Sequence, residues 1–202
     1  MTSPSSGLPS TYLITPEPVA GRPLSDFLET LEASLEAGVR LVQLRAKTLA
    51  ETDYRALAQH ALRSCHRHDA RLLLNAEPGL AQALRADGVH LSSARLMACR
   101  SRPWAAAATT GMLLSVACHH AAQLQQANLI GADLLTLSPV LTTASHPDAE
   151  PLGWARFGEL AALTQIPIYA LGGMTPDTLP MAKAAGAQGI AAIRSLWGGG
   201  RA

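Results

Sequence analysis

Aromatic residues are scarce: two Phe, three Trp and three Tyr among 202 residues, 4% of the chain. Binders of single-stranded nucleic acid stack bases on aromatic rings, and this chain has too few to build such a platform. Basic charge is not in excess either. Lys and Arg number 16 against 15 Asp and Glu, a formal net charge of +1, which argues against the basic stripe of a nucleic-acid binder. Charged residues make up only 15% and hydrophobic residues 48%, a balance that excludes a disordered chain. No apolar run reaches the ~20 residues of a membrane span. The Ser/Pro-rich start, residues 1–10, has neither a basic nor an apolar stretch and does not read as a signal peptide. It is expected to be a flexible segment ahead of one domain over 11–202. The three cysteines, Cys65, Cys99 and Cys118, are odd in number and lack metal-like spacing. They read as buried or incidental thiols in a reducing, cytoplasmic setting.

What is present is an alternation. Short apolar runs at Thr11–Thr15, Arg40–Arg45, Arg71–Leu74, Gly88–Leu91, Met112–Ala117, Leu134–Leu137, Ile166–Leu171 and Gly189–Ile193 predict eight strands. Helical spacing lies between most of them, as in Leu24, Phe27, Leu28, Leu31 and Leu35. Ser25 and Thr52 are candidate N-caps, and Thr175-Pro176-Asp177 places Pro at a first helical position. The helix between Leu91 and Met112 is the least distinct. Runs apolar along their whole length suit a parallel sheet covered on both faces. Eight such units in 202 residues predict a small single-domain (β/α)8 TIM barrel, with a doubly wound open sheet as the structural alternative. Only Arg194–Ala202 follow the eighth strand, so the last helix is expected to be truncated and to leave apolar surface for a partner.

In a barrel the C-terminal strand ends carry the chemistry. The second strand runs out as Gln43-Leu-Arg45-Ala-Lys47, and alternation points Gln43, Arg45 and Lys47 together toward the mouth. Two cations and an amide there fit an anion site, as Arg can hold a phosphate bidentately, or else a solvated basic strand end. The seventh ends in Gly172-Gly173-Met-Thr175-Pro, where paired glycines ahead of a helix expose backbone N–H groups to an anion, or simply turn the chain. The fifth ends in His119-His120, whose side chains point to opposite faces, so at most one meets the cavity and a shared metal site is not expected. The sixth runs into a hydroxyl-rich loop with Thr143 and Ser145, fit to close over a ligand or to lie inert on the surface.

Together the motifs resemble the thiamine phosphate synthase/TenI family, from Tyr12 through Ile193. They are Tyr12-Leu-Ile-Thr15, Gln43-Leu-Arg-Ala-Lys47, Leu74-Asn75, Ala86-Asp-Gly-Val-His-Leu91, Gly131-Ala-Asp133, Ser138-Pro-Val140, Gly172-Gly-Met-Thr-Pro-Asp177 and Gly186-Ala-Gln-Gly-Ile-Ala191. The resemblance implies a (β/α)8 barrel of thiamine biosynthesis, a thiazole phosphate ligand, contacts from Asn75, and a homodimer. It offers two chemistries. One is a synthase that joins hydroxymethylpyrimidine diphosphate to thiazole phosphate and releases pyrophosphate with Mg2+. The other is a TenI-type tautomerase that aromatises a thiazole carboxylate phosphate without a cofactor.

The synthase pattern implies magnesium-binding carboxylates after the third and fourth strands, where this chain has Asn75-Ala76 and Ser92-Ser-Ala-Arg95. Ala76 and Arg95 offer a hard cation nothing, and Glu77 is one residue displaced. The resemblance also puts a pyrophosphate-binding lysine in the sixth-strand loop where His146 stands, and a small hydroxyl residue near the thiazole phosphate where Arg194 stands, a guanidinium that either strengthens phosphate binding or projects away over the open eighth-helix position. The tautomerase pattern places its acid/base at His119. The expectation is therefore a tautomerase, with a synthase or a non-catalytic phosphate-binding domain as alternatives. Gly88–Met97 and the abrupt end near Trp197 also resemble TenI-like barrels fused to a Nudix hydrolase domain, a further possible partner.

Overall fold

The computed structural model describes residues 7–104, 111–143 and 150–200. Eight parallel strands close into a barrel in sequence order. They are β1 (Thr11–Ile14), β2 (Leu41–Leu44), β3 (Arg71–Leu74), β4 (Gly88–Leu91), β5 (Leu113–Cys118), β6 (Leu134–Leu137), β7 (Ile168–Leu171) and β8 (Gly189–Ala192). The sheet closes by pairing β8 with β1, Tyr12 against Ala191. Among the described residues seven α-helices surround it: α1 (Leu24–Glu36), α2 (Glu51–Arg67), α3 (Pro78–Ala83), α4 (Ser93–Ala98), α5 (Ala121–Leu129), α6 (Gly153–Ala161) and α7 (Leu179–Ala184). This is the (β/α)8 barrel that the alternation of runs predicts.

Alternation within each strand divides the core in two. Outward residues such as Val42, Leu72, Leu114 and Leu135 meet the helices, and inward ones fill the barrel with Tyr12, Leu41, Leu73, Leu113, Leu134 and Tyr169. The helices bury the stripes that their spacing predicts, Phe27, Leu31 and Leu35 on α1 and Leu57, Ala58, Ala61 and Leu62 on α2. Each fully buried Leu contributes about 1.5–3 kcal/mol of transfer free energy, so most of the stability resides in these two layers.

The base is tied by backbone and carboxylate bonds. Ser10 O accepts from Ile190 N at 3.0 Å, Leu8 O from Gln188 Nε2 at 2.8 Å, and Pro9 O from Tyr169 Oη at 2.6 Å. Asp87 and Asp133 each stand one residue before a strand and accept an N–H from the preceding one, Leu72 at 2.8 Å and Leu114 at 2.7 Å. Conserving strand register in this way is a stability role, as befits the face of the barrel away from the mouth.

Several local expectations need correction. Ser25 and Thr52 are not caps: α1 starts at Leu24 behind Pro23 and α2 at Glu51 behind Ala50, with no side-chain cap on either. The indistinct fourth helix does form, capped by Ser92, whose Oγ accepts from Arg95 N. The end of the chain does not leave α1 bare. Leu196 is buried, the Trp197 ring lies 4.8 Å from that of Phe27, and Gly198 N donates to Ser34 Oγ at 2.8 Å. A short 3₁₀ segment, Trp197–Gly200, thus takes the place of the eighth helix, because one indole covers what a helix turn would otherwise bury. No described helix is long and apolar enough to cross a membrane.

Candidate functional site

A cavity of about 800 Å³ opens at the C-terminal ends of β5 to β8, with His119, Thr143, Gly172, Gly173 and Arg194 in its wall. Five of the residues singled out from sequence therefore meet there. Ser145 and His146 lie outside the described residues. His119 and Arg194 are the titratable side chains of the wall among the described residues; the rest is largely apolar, as a small-molecule site requires.

The first residue after β5 is His119, and His120 begins the turn into α5 as its N-cap residue, exposed. Gln123, buried on α5, accepts the His119 backbone N–H at 2.6 Å and pins the strand end. The ring is held by Ser138, whose carbonyl oxygen lies 2.8 Å from Nδ1. A carbonyl only accepts, so Nδ1 carries the proton, and in the neutral ring Nε2 keeps its lone pair. That is the arrangement of a general base whose orientation is fixed from behind.

Gly172 and Gly173 form the β7 side of the cavity. Both have positive φ, 100° and 71°, which a side chain at either position would strain. A Cβ at Gly172 would lie 2.9 Å from Pro139 Cα, and one at Gly173 would lie 2.8 Å from Leu141 Cβ. Glycine lets the β6 and β7 loops touch, and the Gly173 and Met174 N–H groups donate to nothing among the described residues. The helix behind this loop is shorter than its sequence suggests. Pro176–Thr178 is a 3₁₀ turn and α7 has six residues, since Pro180 follows within the same stretch and removes another donor. The exposed amides, rather than a helix dipole, are what this loop offers an anion.

Gln43, Arg45, Lys47 and Asn75 lie on the other half of the mouth and do not line the cavity. The shared orientation expected of the first three fails because β2 ends at Leu44. Gln43 is buried inside the barrel, donating Nε2–H to Tyr12 Oη at 3.1 Å and accepting from Asn75 Nδ2 at 3.3 Å. Arg45 is already paired, its guanidinium 2.8 Å from Glu17 Oε1. Lys47 is exposed.

Gln43 belongs to a ladder that the sequence reading missed. Tyr12 Oη donates to Ser115 Oγ at 3.3 Å, and Ser115 Oγ lies 2.8 Å from His90 Nδ1. Burial first, and the nearby Lys47 ammonium second, hold the His90 imidazole down at about 3, so it is neutral. Ser115 has no other acceptor among the described residues and donates to Nδ1. Burial also pushes the Tyr12 phenol up to about 12, which keeps the ladder uncharged. One buried side-chain atom among the described residues, Thr136 Oγ1 on β6, has no partner. The signal for all of these was polar residues at inward positions of apolar strands, legible only once the strand register is known.

The carboxylates that a magnesium ion would need are not assembled. Among the described residues no three His, Cys, Asp or Glu side chains sit together. Glu77, the candidate replacement ligand, pairs with Arg95, so a guanidinium stands beside it. These residues do not fit a divalent cation. All three cysteines are free thiols, and burial raises those of Cys65 and Cys118 to about 12. They are packing groups, not nucleophiles.

Comparison with known proteins agrees with the geometry. Residues 11–196 match the family model described as "Thiamine monophosphate synthase". A putative thiamine-phosphate synthase 2 of Aquifex aeolicus is 37% identical, over 92% of this chain and 96% of its own. A putative thiamine-phosphate synthase of Geobacter sulfurreducens is 39% identical, over 93% of this chain and 86% of its own. The thiamine-phosphate synthase of Synechococcus sp. WH7803 is 35% identical, and there this chain spans 51% of the relative's length. Among solved structures, the thiamine phosphate pyrophosphorylase of Pyrococcus furiosus has the same fold, with a TM-score of 0.73 at 23% identity, over 91% of this chain and 85% of its own. The chain belongs to the thiamine monophosphate synthase family.

Proposed function

We propose that the cavity binds a thiazole phosphate and that the protein is a thiazole tautomerase of thiamine biosynthesis. The observation that carries this reading is His119, set in the cavity wall with Nδ1 fixed on Ser138 O at 2.8 Å. The phosphate sits at the Gly172–Gly173 loop against the Gly173 and Met174 amides, with Thr143 in the same wall. Held there, the thiazole ring faces Nε2. The lone pair takes a proton from one position of the non-aromatic ring, and the imidazolium returns it at another, leaving the aromatic isomer. Atoms and charge balance without a co-reactant. The proton carrier is neutral before and after the cycle, and positioned general acid/base catalysis of this kind contributes about 10²–10⁴-fold. Replacing His119 by Ala therefore lowers the isomerisation rate by that factor with little change in ligand affinity. A variant that keeps the wild-type rate sinks the assignment.

One observation favours a second reading, the synthase. Gln43, Asn75, His90 and Ser115 form a polar group on the other half of the mouth that a single thiazole ring does not need. Of these, Asn75 is the half-buried one, so a second heteroaromatic ring such as a pyrimidine would engage the ladder at Asn75, in exchange for its bond to Gln43. The unassembled carboxylates weigh against it, and so the tautomerase is the primary reading. A cytoplasmic location, a homodimer and a Nudix-type partner domain are also part of the proposal, and the site needs none of them.

A further inference from the structure

The β7 and β8 sides of the cavity lack a feature that phosphate sites of this fold commonly use. There the anion lies between the loops after strands seven and eight, at the N-terminus of a short added helix. Aligned peptide dipoles supply about half a positive charge at such an end. Here neither segment provides it. The β7 loop enters a three-residue 3₁₀ turn and then six residues of α7. Its Thr175 N–H is already taken, donating to Thr178 Oγ1 at 3.2 Å. Behind β8 the chain turns into Trp197–Gly200, where Gly198 and Gly199 have φ of 63° and 71°. No α-helix follows β8 among the described residues.

A dianion in this cavity needs positive charge, and Arg194 is positioned to give it. Its guanidinium makes no ion pair or hydrogen bond with any described residue, and Arg194 is one of the residues that form the cavity wall. Its backbone is fixed on both sides. Ile193 O accepts from Trp197 N at 3.1 Å, and Ser195 Oγ donates to Met174 O at 2.8 Å, tying the β8 loop to the β7 loop. The guanidinium groups across the mouth are by contrast neutralised, Arg45 by Glu17 and Arg95 by Glu77.

We infer that Arg194 replaces the absent helix terminus as the charged half of the anion site, and that it makes the cavity select a phosphomonoester dianion over the neutral alcohol. A guanidinium can grip two phosphate oxygens at once while the Gly173 and Met174 amides meet the third. The inference rests on the β7–β8 loops holding a phosphate; it does not depend on the proton-transfer step at His119.

Calorimetric titration of the full chain tests it, with a thiazole phosphate, the matching thiazole alcohol and inorganic phosphate as probes. Losing a charge-assisted hydrogen bond pair weakens binding by about ten- to a hundredfold. R194Q should therefore lose that much affinity for the thiazole phosphate, R194K should recover part of it, and affinity for the alcohol should stay at the wild-type value. The melting temperature should not move, because Arg194 is exposed. R194Q with wild-type affinity for the phosphate, or with equal losses for phosphate and alcohol, overturns the inference. If inorganic phosphate binds in an Arg194-dependent way and the thiazole phosphate does not bind at all, Arg194 stands and the thiazole reading falls.

Discussion

The two halves of the barrel mouth are built from similar residue types and differ in what satisfies them. From β1 to β4, most polar groups are answered from within: Gln43, Tyr12 and His90 form one buried ladder with Ser115 of β5, Arg45 and Arg95 face carboxylates, and Lys47 reaches solvent. From β5 to β8, Arg194, the Gly173 and Met174 amides and His119 Nε2 have no partner among the described residues. His119, Gly173 and Arg194 are exposed, so a ligand entering this apolar cavity meets two kinds of donor and one acceptor without breaking any bond within the protein. Among the described residues both halves carry charge, but only the β5–β8 half places an unpaired cation in the wall of the cavity.

Gly173→Ala attacks the open half most strongly. It forces a side chain onto a φ of 71° and to within 2.9 Å of Thr142 O, and strain of that kind costs about 1–3 kcal/mol. Because the loop must move to relieve it, affinity for a thiazole phosphate should fall alongside the melting temperature. A drop in neither removes the glycine cradle from the account.

The closed half should show itself in acid. His90 titrates at about 3 in the fold, against 6.5 for an unperturbed imidazole. Below that ordinary value the unfolded chain takes up a proton that the folded chain refuses. The stability due to a neutral His90 is thus complete above pH 6.5 and is lost as pH falls toward 3. The slope is about 1.4 kcal/mol per pH unit, or about 2 kcal/mol between pH 6.5 and roughly 5. Denaturant unfolding of the wild type and His90→Gln across that range isolates the effect as the difference between their slopes. Equal slopes would mean that His90 is not held neutral by burial.

The smallest effect belongs to Glu77→Gln, which frees Arg95. Exposed ion pairs contribute about 0–1 kcal/mol, so unfolding should shift by no more than that and affinity for a thiazole phosphate should be unchanged. A tenfold change in that affinity would erase the division between the halves.

Much of the barrel was legible in the sequence because parallel strands covered on both faces are apolar throughout, and eight such runs punctuated by helical stripes leave few topologies. His119, Gly172 and Gly173 were legible because they stand at strand ends, where the fold places its chemistry, Thr143 because it belongs to the hydroxyl-rich loop after β6, and Arg194 because the family resemblance singled out its position. The grouping of Gln43 with Arg45 and Lys47 was not, since it assumed that alternation continues past Leu44, where the strand stops. Tyr12, His90 and Ser115 were hidden for another reason. Their roles depend on register between strands 25 to 103 positions apart, which no local pattern encodes. The placement of Trp197 was equally non-local, resting on one indole meeting Phe27 from the opposite end of the sequence.

The central claim is that this site moves a proton on a phosphate-anchored thiazole. An NMR time course near neutral pH, with the non-aromatic thiazole carboxylate phosphate and no divalent cation, tests it most directly, with hydroxymethylpyrimidine diphosphate and Mg2+ added midway. The expected result is aromatic isomer forming faster than in buffer alone before the addition. No isomer above the buffer rate, followed by coupled product and pyrophosphate only after the addition, would contradict the tautomerase and make the polar ladder, not His119, the working half of the mouth.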